Sequence, residues 1–282
     1  MQAFSIAQFQ AMHERLRKTS DTDYSGIHKA ANAYESHSLN AVTDNSLMDR
    51  VDSKYLLTID TLINGLSDLN QDYTALEIDS NRVFTYQNTY FDSDNLNYYL
   101  QHHNGKLNRH KVRYRRYKET NSEFFEIKFK TNKRRTVKER TQLPETIEAE
   151  SVGQKFALSL LPDSEVSKLS PVLHVNYQRI TLTHKQARER LTFDFDLRFS
   201  RVGSAEQTQI PDLAIAEHKR YGKPEKTAFQ SFVKRHAARN SSFSKYCIGC
   251  CLTAKQPLKM NRFRPILRKV NSYSTNRTSL DI

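Results

Sequence analysis

KVRYRRYK (Lys111–Lys118) and EFFEIKFK (Glu123–Lys130) are the stretches that decide the fold, because both alternate in the manner of a β-strand. In the second stretch apolar residues occupy one face, whereas Glu126, Lys128 and Lys130 occupy the other. A strand needs only one buried apolar face, so its second face can be ionic where it meets water or a charged ligand. Side by side, such strands form a wall of guanidinium and ammonium groups, which is typical of a surface that binds polyanions.

The whole chain shares this basic character. Its 282 residues carry a formal net charge of +13, and the sequence pI is about 9.6. These values predict an anionic partner or an acidic substrate. No apolar run approaches the ~20 residues that a membrane span needs, and the N-terminus lacks the apolar centre of a signal peptide. The expected location is therefore the cytoplasm.

The three cysteines lie together in the sequence CIGCC, at positions 247, 250 and 251. This pattern is formally a CxxC, which occurs in redox pairs and as half of a zinc site. No second CxxC or spaced histidine pair completes a zinc ligand set. The cysteines are therefore interpreted as ordinary reduced thiols in an apolar element.

Alternation recurs along the chain and predicts seven or eight strands with polar inward faces. This count predicts an α+β fold, in which a closed antiparallel β-barrel or tunnel of about eight strands is flanked by helices. The expected organisation is an N-terminal helix and connecting segment over 1–45, a tunnel domain over 46–254, and a basic, flexible tail over 255–282. Within the first range the helix is expected over 1–18, and a loop or loosely held connection is expected after it.

Any phosphate groups would have to be bound by side chains in this chain. It has no GxxxxGK[ST] motif, no dinucleotide glycine fingerprint and only seven glycines. Arginine suits the task, because its planar guanidinium can make two charge-assisted hydrogen bonds to one phosphate. Each candidate taken alone is more simply interpreted as a solvated surface charge. In five or more strands, however, cations lie on the polar face, opposite an apolar row. The candidates are Arg50, Lys54, Arg113, Arg115, Lys128, Lys138, Arg179 and Arg190.

Carboxylates at the same level would offset repulsion among these cations. Glu126, Asp194, Asp196 and Glu217 are available. Glu217 lies two residues before Lys219 and so shares its face of a mostly apolar strand. The residues leave two interpretations of Glu217 open: a salt bridge inside the barrel, or a ligand of a divalent ion that bridges protein and phosphate oxygens.

Six short motifs follow one another along the chain. They are Arg50-x-Asp52-x-Lys54-Tyr55, Tyr90-Phe91-Asp92-Ser93, Arg113-x-Arg115, Glu126-x-Lys128, Glu217-x-Lys219 and Ser244-Lys245-Tyr246. This ordered series resembles the VTC domain, the polyphosphate polymerase domain of the vacuolar transporter chaperone complex, which also occurs in stand-alone bacterial proteins. The resemblance extends over roughly residues 45–250. It implies a triphosphate tunnel fold of the CYTH-like superfamily, whose basic lumen holds a nucleoside triphosphate and a growing polyphosphate chain.

The resemblance also implies an activity and a role for each residue. The activity is transfer of the γ-phosphoryl group of ATP, or of another nucleoside triphosphate, to polyphosphate, which depends mainly on positioning and charge neutralisation. Glu217 would hold Mn²⁺ or Mg²⁺. The residues expected to hold the triphosphate in line are Arg113, Arg115, Lys128, Arg179 and Arg190. Further phosphate contacts are expected from Arg50, Lys54, Lys138, Lys219 and Lys245, with Arg140 as a substitute for Lys138.

Two other functions are left open. Hydrolases of the same fold carry ExExK on the first strand, and their glutamates hold a metal that activates water; this chain has Arg50-x-Asp52-x-Lys54, which favours the polymerase. A non-catalytic RNA or polyphosphate binder would show exposed aromatics among its basic residues and would need no internal carboxylate, so nucleic acid is not the expected partner. Family members often act beside membrane proteins, which leaves open a membrane-protein partner and association with a membrane through it.

Overall fold

The computed structural model describes residues 22–39, 50–133, 135–146, 148–221 and 226–275, which form an α+β fold around one eleven-stranded sheet. The strands are β1 (Ser36–His37), β2 (Arg50–Thr58), β3 (Tyr73–Leu76), β4 (Val83–Asp92), β5 (Arg109–Tyr117), β6 (Ser122–Lys130), β7 (Thr136–Leu143), β8 (Ser170–His184), β9 (Glu189–Arg201), β10 (Thr208–Ile210) and β11 (Leu213–Tyr221). The main path is β2-β11-β9-β8-β4-β5-β6-β7, and its neighbours are antiparallel. Off this path, β3 pairs with β8 and in parallel with β1, and β10 pairs with β9.

The helices are α1 (Ser25–Asn32), α2 (Ile59–Leu69), α3 (Asn97–His103), α4 (Ala149–Leu158), α5 (Asp163–Val166), α6 (Ala228–Arg235), α7 (Lys245–Leu252) and α8 (Arg264–Thr275), with a 3₁₀ turn at Asn261–Phe263. They cover the sheet through three apolar clusters. The first cluster packs α1, α2 and α6, and the second packs α3 and α4 against β5 and β6. The third places α7 and α8 against the opposite face of the sheet from α1. No helix in these described ranges is long and apolar enough to cross a membrane.

The predicted closed barrel of about eight strands is wrong for the residues that the structure describes. Eleven strands are present, and no ladder joins β2 to β7. A loop occupies the outer edge of β2 instead, since the Ser241 amide donates to the Lys54 carbonyl at 2.7 Å and Asn240 forms an isolated bridge with Tyr55. The other edge strand, β7, is polar and almost wholly exposed, which is a common way to prevent further strand pairing.

The N-terminal prediction is corrected in part. The predicted helix over 1–18 lies outside the described residues. The stretch after it was predicted to be a loop, yet it contains α1, in which Ile27 and Ala31 are fully buried one helical turn apart. Most of the surrounding residues are polar, and this composition conceals the short apolar stripe. Tyr24, three residues before Ile27, belongs to the same apolar cluster, and its hydroxyl donates to the Pro211 carbonyl at 2.9 Å.

The predicted flexible tail is also corrected for residues 261–275, which are helical. Leu267 and Val270 are fully buried against the α7 side of the sheet. The Tyr273 hydroxyl donates to the Leu56 carbonyl at 2.9 Å, so α8 is fixed to β2. Basic residues between these apolar positions give the segment the composition of a solvated tail. The domain boundaries at 46 and 254 stay a prediction.

The sheet curls around the N-terminus of α7. Ser244 and Lys245 are consecutive, yet Ser244 contacts Lys111 on β5 and Lys245 contacts Asp194 on β9. Three strand spacings separate β5 from β9, or roughly 14 Å in a flat sheet. Lys128 on β6 also lies close enough to Glu217 on β11 for that carboxylate to act on its pKa, although five strand spacings separate the two strands. The sheet is therefore curled, and one of its faces encloses a groove.

Candidate active site

One face of the curled sheet, which we call the basic face, carries nearly all the predicted phosphate ligands. Its members are cross-strand partners in the ladders, and such partners lie on one side of a sheet. Its carboxylates include Asp52, Glu126, Asp194 and Glu217. Its basic side chains include Lys54, Lys111, Arg113, Arg115, Lys128, Lys138, Arg140, Arg179, Arg190 and Lys219.

Glu126 is the central carboxylate of the β5–β7 part of the basic face. It is fully buried and forms ion pairs with Arg113 on one oxygen and with Lys138 on the other. Burial alone would raise the pKa of Glu126, but Arg113, Arg115 and Lys138 hold that pKa below its usual value. The carboxylate therefore stays ionised and orients two cations, while the cluster as a whole remains positive.

Asp194 has the same arrangement in the β8–β9 part. Arg179 donates to its two oxygens from Nε at 2.5 Å and from Nη2 at 2.7 Å, and Lys245 of α7 forms a second ion pair. Burial opposes ionisation, yet Arg179 and Lys245 lower the pKa of Asp194 to about 2. Asp194 thus brings Lys245, the predicted residue of the phosphate path, onto the basic face.

Arg115 and Lys128 differ from these paired cations. Arg115 is 5% exposed and donates to neutral acceptors, the Asn88 amide oxygen at 2.8 Å and the Tyr177 hydroxyl at 2.9 Å. Lys128 has no hydrogen bond or ion pair with any residue that the structure describes. Repulsion from Arg113, together with burial, lowers the pKa of Lys128 well below its usual value. A cation that is buried or half-buried without a counter-ion is costly, so an anion bound in the groove would stabilise both groups.

Tyrosine rings fix the direction of the two arginines that face each other in the groove. The Tyr86 ring lies 4.8 Å from the guanidinium carbon of Arg115 and 4.8 Å from that of Arg179. Tyr86 stacks on Tyr177 with 5.1 Å between ring centroids. Cation–π contact suits a guanidinium that must keep its N–H donors available at the rim.

Glu217 forms the salt bridge that was one of its two interpretations, with 2.7 Å between its carboxylate and the Lys219 ammonium. It lies opposite Lys54 in the β2 ladder. Burial raises its pKa, but Lys219 and Lys54 hold that pKa well below the usual value. Within the described ranges no group of three or more histidine, cysteine or acidic side chains could hold a metal ion. A metal held by protein groups alone does not fit, whereas one carboxylate combined with phosphate oxygens is a set that Mg²⁺ accepts.

The remaining predicted residues occupy several environments. Arg190 is the ladder partner of Lys219 at the same end of the basic face. Lys54 borders a cleft of about 540 Å³ whose lining includes Asn240 and Ser241. Arg50 begins β2, and its side chain lies outside what the structure describes.

Arg140 does not join the paired cations. It is exposed on β7, and its guanidinium carbon lies 4.8 Å from the centroid of the Phe124 ring. Arg140 is the ladder partner of Glu126, yet the acid pairs with Lys138 and Arg113. Of the two candidates on β7, Lys138 is therefore the one that reaches the buried part of the groove.

Lys111 is a functional candidate that was not among the phosphate-binding residues predicted from the sequence. Its ammonium donates to Ser244 Oγ at 3.0 Å, and Ser244 caps α7 by accepting from the Cys247 amide. Lys111 is also the ladder partner of Lys128, which itself faces Lys138. Alternation already placed Lys111 on one face with Arg113, so the signal was present.

Asp92 anchors the start of α7 from below the groove. Its buried carboxylate accepts from the amides of Tyr98 and Tyr99, each at 2.9 Å, and from the Tyr246 hydroxyl. Tyr246 directly follows Lys245, so this contact helps to set the position of that cation. The rest of α7 is apolar, and its three cysteines are buried free thiols, as predicted.

Comparisons with known proteins bear on this geometry. No curated protein matches the chain. Among solved structures, a Hippeastrum protein named as an adenylyl cyclase with a dominant triphosphatase activity is 13% identical, with 73% of this chain and 97% of that chain covered and a TM-score of 0.48. A Vibrio parahaemolyticus protein named as an adenylate cyclase is 13% identical, with 66% and 83% covered and a TM-score of 0.37. A Pyrococcus furiosus hypothetical protein is 9% identical, with 67% and 89% covered and a TM-score of 0.38.

A comparison with protein families gives a match that identifies the family of this chain. The model of the VTC domain matches residues 49–254, which contain the whole basic face and α7. This family is associated with polyphosphate and triphosphate chemistry, in agreement with a groove lined by buried cations. The chain belongs to the VTC domain family.

Proposed function

We propose that this protein is a polyphosphate polymerase, which transfers the γ-phosphoryl group of ATP to a growing polyphosphate chain in the groove of the basic face. The observation that carries the proposal is the pair Arg115 and Lys128, two cations in the groove without a carboxylate partner among the described residues. Their charge calls for an anion that enters from outside. Triphosphate and polyphosphate supply closely spaced negative charges that match rows of cations.

The geometry supports a division of labour. Arg113, Arg115 and Lys128 line one wall of the groove, and Arg179 and Arg190 line the wall formed by β8 and β9. Together they would hold a triphosphate between the walls and neutralise the charge that spreads over the transferred group. Further contacts are assigned to Lys54, Lys138, Lys219 and Lys245. Because the attacking atom is an already ionised phosphate oxygen, the reaction needs no general base.

Glu217 is the residue proposed to hold a divalent ion, Mn²⁺ or Mg²⁺, together with the triphosphate oxygens. Such an ion would neutralise charge on the bridging and terminal phosphate oxygens. Since Glu217 is the only carboxylate proposed as a ligand, we infer that the ion enters with the substrate. Lys219 would give up part of its ion pair with Glu217 to the phosphate at that moment.

Hydrolysis of triphosphate is the second candidate of the same chemistry. It requires an activated water, usually on a metal held by several carboxylates. On β2, Asp52 retains one of the two carboxylates of the hydrolase pattern, whereas Arg50 replaces the other with a cation. This replacement is our reason to propose transfer to phosphate over attack by water.

One assay separates these functions. Purified protein is incubated with ATP and Mn²⁺, and the products are analysed for polyphosphate on a gel and for inorganic phosphate in solution. Ladders support the polymerase, whereas inorganic phosphate without ladders supports the hydrolase. Arg115→Met should abolish either activity. Arg116→Met is the matched control, because Arg116 lies next in the strand and bonds Asn121 on the other face.

A further inference from the structure

Phe124 is an exception on the basic face. It is the ladder partner of Arg115 and of Gln142, so it lies on the same side as the phosphate-binding candidates. It belongs to none of the three apolar clusters formed by the described residues, and it is only half-buried. An aromatic ring that belongs to no apolar cluster of the described residues is therefore partly exposed at the groove, beside a guanidinium without a carboxylate partner.

The surroundings of Phe124 are those of a stacking site. The guanidinium of the exposed Arg140 lies over its ring at 4.8 Å, and the Tyr117 ring meets it edge-on with 5.7 Å between centroids. Flat π-faces between an aromatic ring and an arginine are a common receptor for nucleobases. Arg140 sits on an edge strand that is solvated along most of its length, so it can move off the ring at little cost.

We infer that Phe124 and Arg140 bind the base of the nucleoside triphosphate, a base-binding site that rests on the proposed function. Arg115 faces Phe124 across the ladder, and Arg113 follows one two-residue step along β5, roughly 6.8 Å farther. A nucleotide whose base stacks on Phe124 therefore directs its phosphates along the row Arg115, Arg113 and Lys111. The γ-phosphate then lies toward α7 and the base lies at the opposite end of the groove.

The inference also predicts which nucleotides bind. Stacking tolerates every base, because each has a π-face. ATP and GTP should therefore bind with similar affinity, and inorganic tripolyphosphate should bind through the cations without using Phe124. The contrast between nucleotide and tripolyphosphate isolates the ring from the phosphate contacts.

The test measures binding of ATP and of tripolyphosphate to wild-type protein and to Phe124→Leu by calorimetry. Leucine keeps an apolar side chain of moderate size, so the fold is preserved while the ring is removed. We expect the Kd of ATP to rise by about tenfold and that of tripolyphosphate to change by less than about twofold. Phe129→Leu is the matched control, since Phe129 lies on the opposite face of the same strand and stacks on His110.

Equal losses for both ligands, or no loss for either, would overturn the base site. Phe124→Tyr keeps a ring and should retain the wild-type ratio of the two Kd values. Because these are binding measurements, they separate the two proposals: a base site with no polymer formation leaves this inference standing and rejects the polymerase. Polymer formation, together with an equal effect of Phe124→Leu on the Kd of ATP and that of tripolyphosphate, would support the polymerase and reject the base site.

Discussion

Arg115 donates from Nε to the amide oxygen of Asn88 at 2.8 Å, so a buried guanidinium is held in place by a neutral side chain and not by a carboxylate. Its neighbour two residues earlier, Arg113, pairs with the buried Glu126. One strand thus carries a cation whose charge is balanced within the protein and one whose charge is not. This difference yields a direct test of which charges serve the fold and which serve a ligand.

Arg113→Met should cost about 3–5 kcal/mol of unfolding free energy, because it removes one partner from a buried ion pair. Arg115→Met should cost about 1 kcal/mol or less, because relief of an unpaired buried charge offsets the lost bonds to Asn88 and Tyr177. Both variants should lose the stabilisation that tripolyphosphate gives the wild type. Urea denaturation of the wild type and of both variants, with and without tripolyphosphate, measures each loss of unfolding free energy and each loss of stabilisation by the ligand. Equal destabilisation by the two variants would contradict this division.

Lys111→Met should weaken tripolyphosphate binding by roughly ten- to a hundredfold, the usual range for one hydrogen bond to a charged group. Its present acceptor is a serine hydroxyl, so little stability depends on it. Lys118→Met is the control, because Lys118 follows the same strand and lies beyond its last residue. An unchanged affinity in Lys111→Met would remove this residue from the site.

ATP affinity should fall as the pH rises above about 8. Burial lowers the pKa of Lys138 and that of Lys219 to about 8, although Glu126 and Glu217 oppose the shift. Phosphate binding needs the charged ammonium, so deprotonation above that pH weakens it. Folding has the opposite sign: the unfolded chain, with a lysine pKa of about 10.4, binds more protons between pH 8 and 10.4, and the contribution of these groups to stability rises there.

The check is a series of ATP titrations from pH 7 to pH 10 with wild type and with Lys138→Arg, Lys219→Arg. Arginine stays charged throughout this range. In the doubly substituted protein, ATP affinity should depend less on pH. Titration of ATP itself affects both proteins equally, so it does not contribute to the difference between their profiles. Parallel profiles would show that neither lysine titrates in contact with phosphate.

Tyr246→Phe should destabilise the protein by about 1–3 kcal/mol, since it removes a donor from the buried Asp92 carboxylate. It should also weaken polyphosphate binding modestly, because Lys245 loses part of its anchor. Tyr273→Phe is a suitable comparison, as its hydroxyl bonds the Leu56 carbonyl away from the groove. A loss of stability in both with a loss of affinity only in Tyr246→Phe is the expected pattern.

Glu217→Gln should remove the part of ATP binding that depends on Mn²⁺ and leave metal-free tripolyphosphate binding nearly intact. Mn²⁺ alone should bind neither protein in the groove, because Glu217 offers the only proposed protein ligand. Calorimetry with the metal, the triphosphate and both together distinguishes these cases. Tight binding of Mn²⁺ without a triphosphate would contradict joint binding.

Alternation predicted most of the long strands, because in most of them a charged face lies opposite an apolar one. Ladder register then joined residues that the sequence could only place on separate strands, such as Lys54 with Glu217 and Arg179 with Asp194. The closed barrel failed because Asn240 and Ser241, which carry no strand pattern, occupy the edge of β2. Short strands such as β1 and β10 are too brief to show alternation.

The side-chain partners were beyond the sequence for a different reason. Arg113 and Arg115 have the same spacing and residue type, yet one pairs with an acid and the other with an amide. That difference depends on which strand lies on each side of β5. The proposed stacking site at Phe124 could not be predicted from the sequence for the same reason, because it depends on the position of Arg140 on β7.

The most direct measurement of the central proposal follows the label from ATP. Protein and Mn²⁺ are incubated with ATP labelled at the γ-phosphate or, in parallel, at the α-phosphate. The account predicts that γ-label enters chains longer than three phosphates, that ADP forms in equal amount, and that α-label never enters the polymer. Recovery of all γ-label as inorganic phosphate, or no turnover of ATP at all, would contradict it.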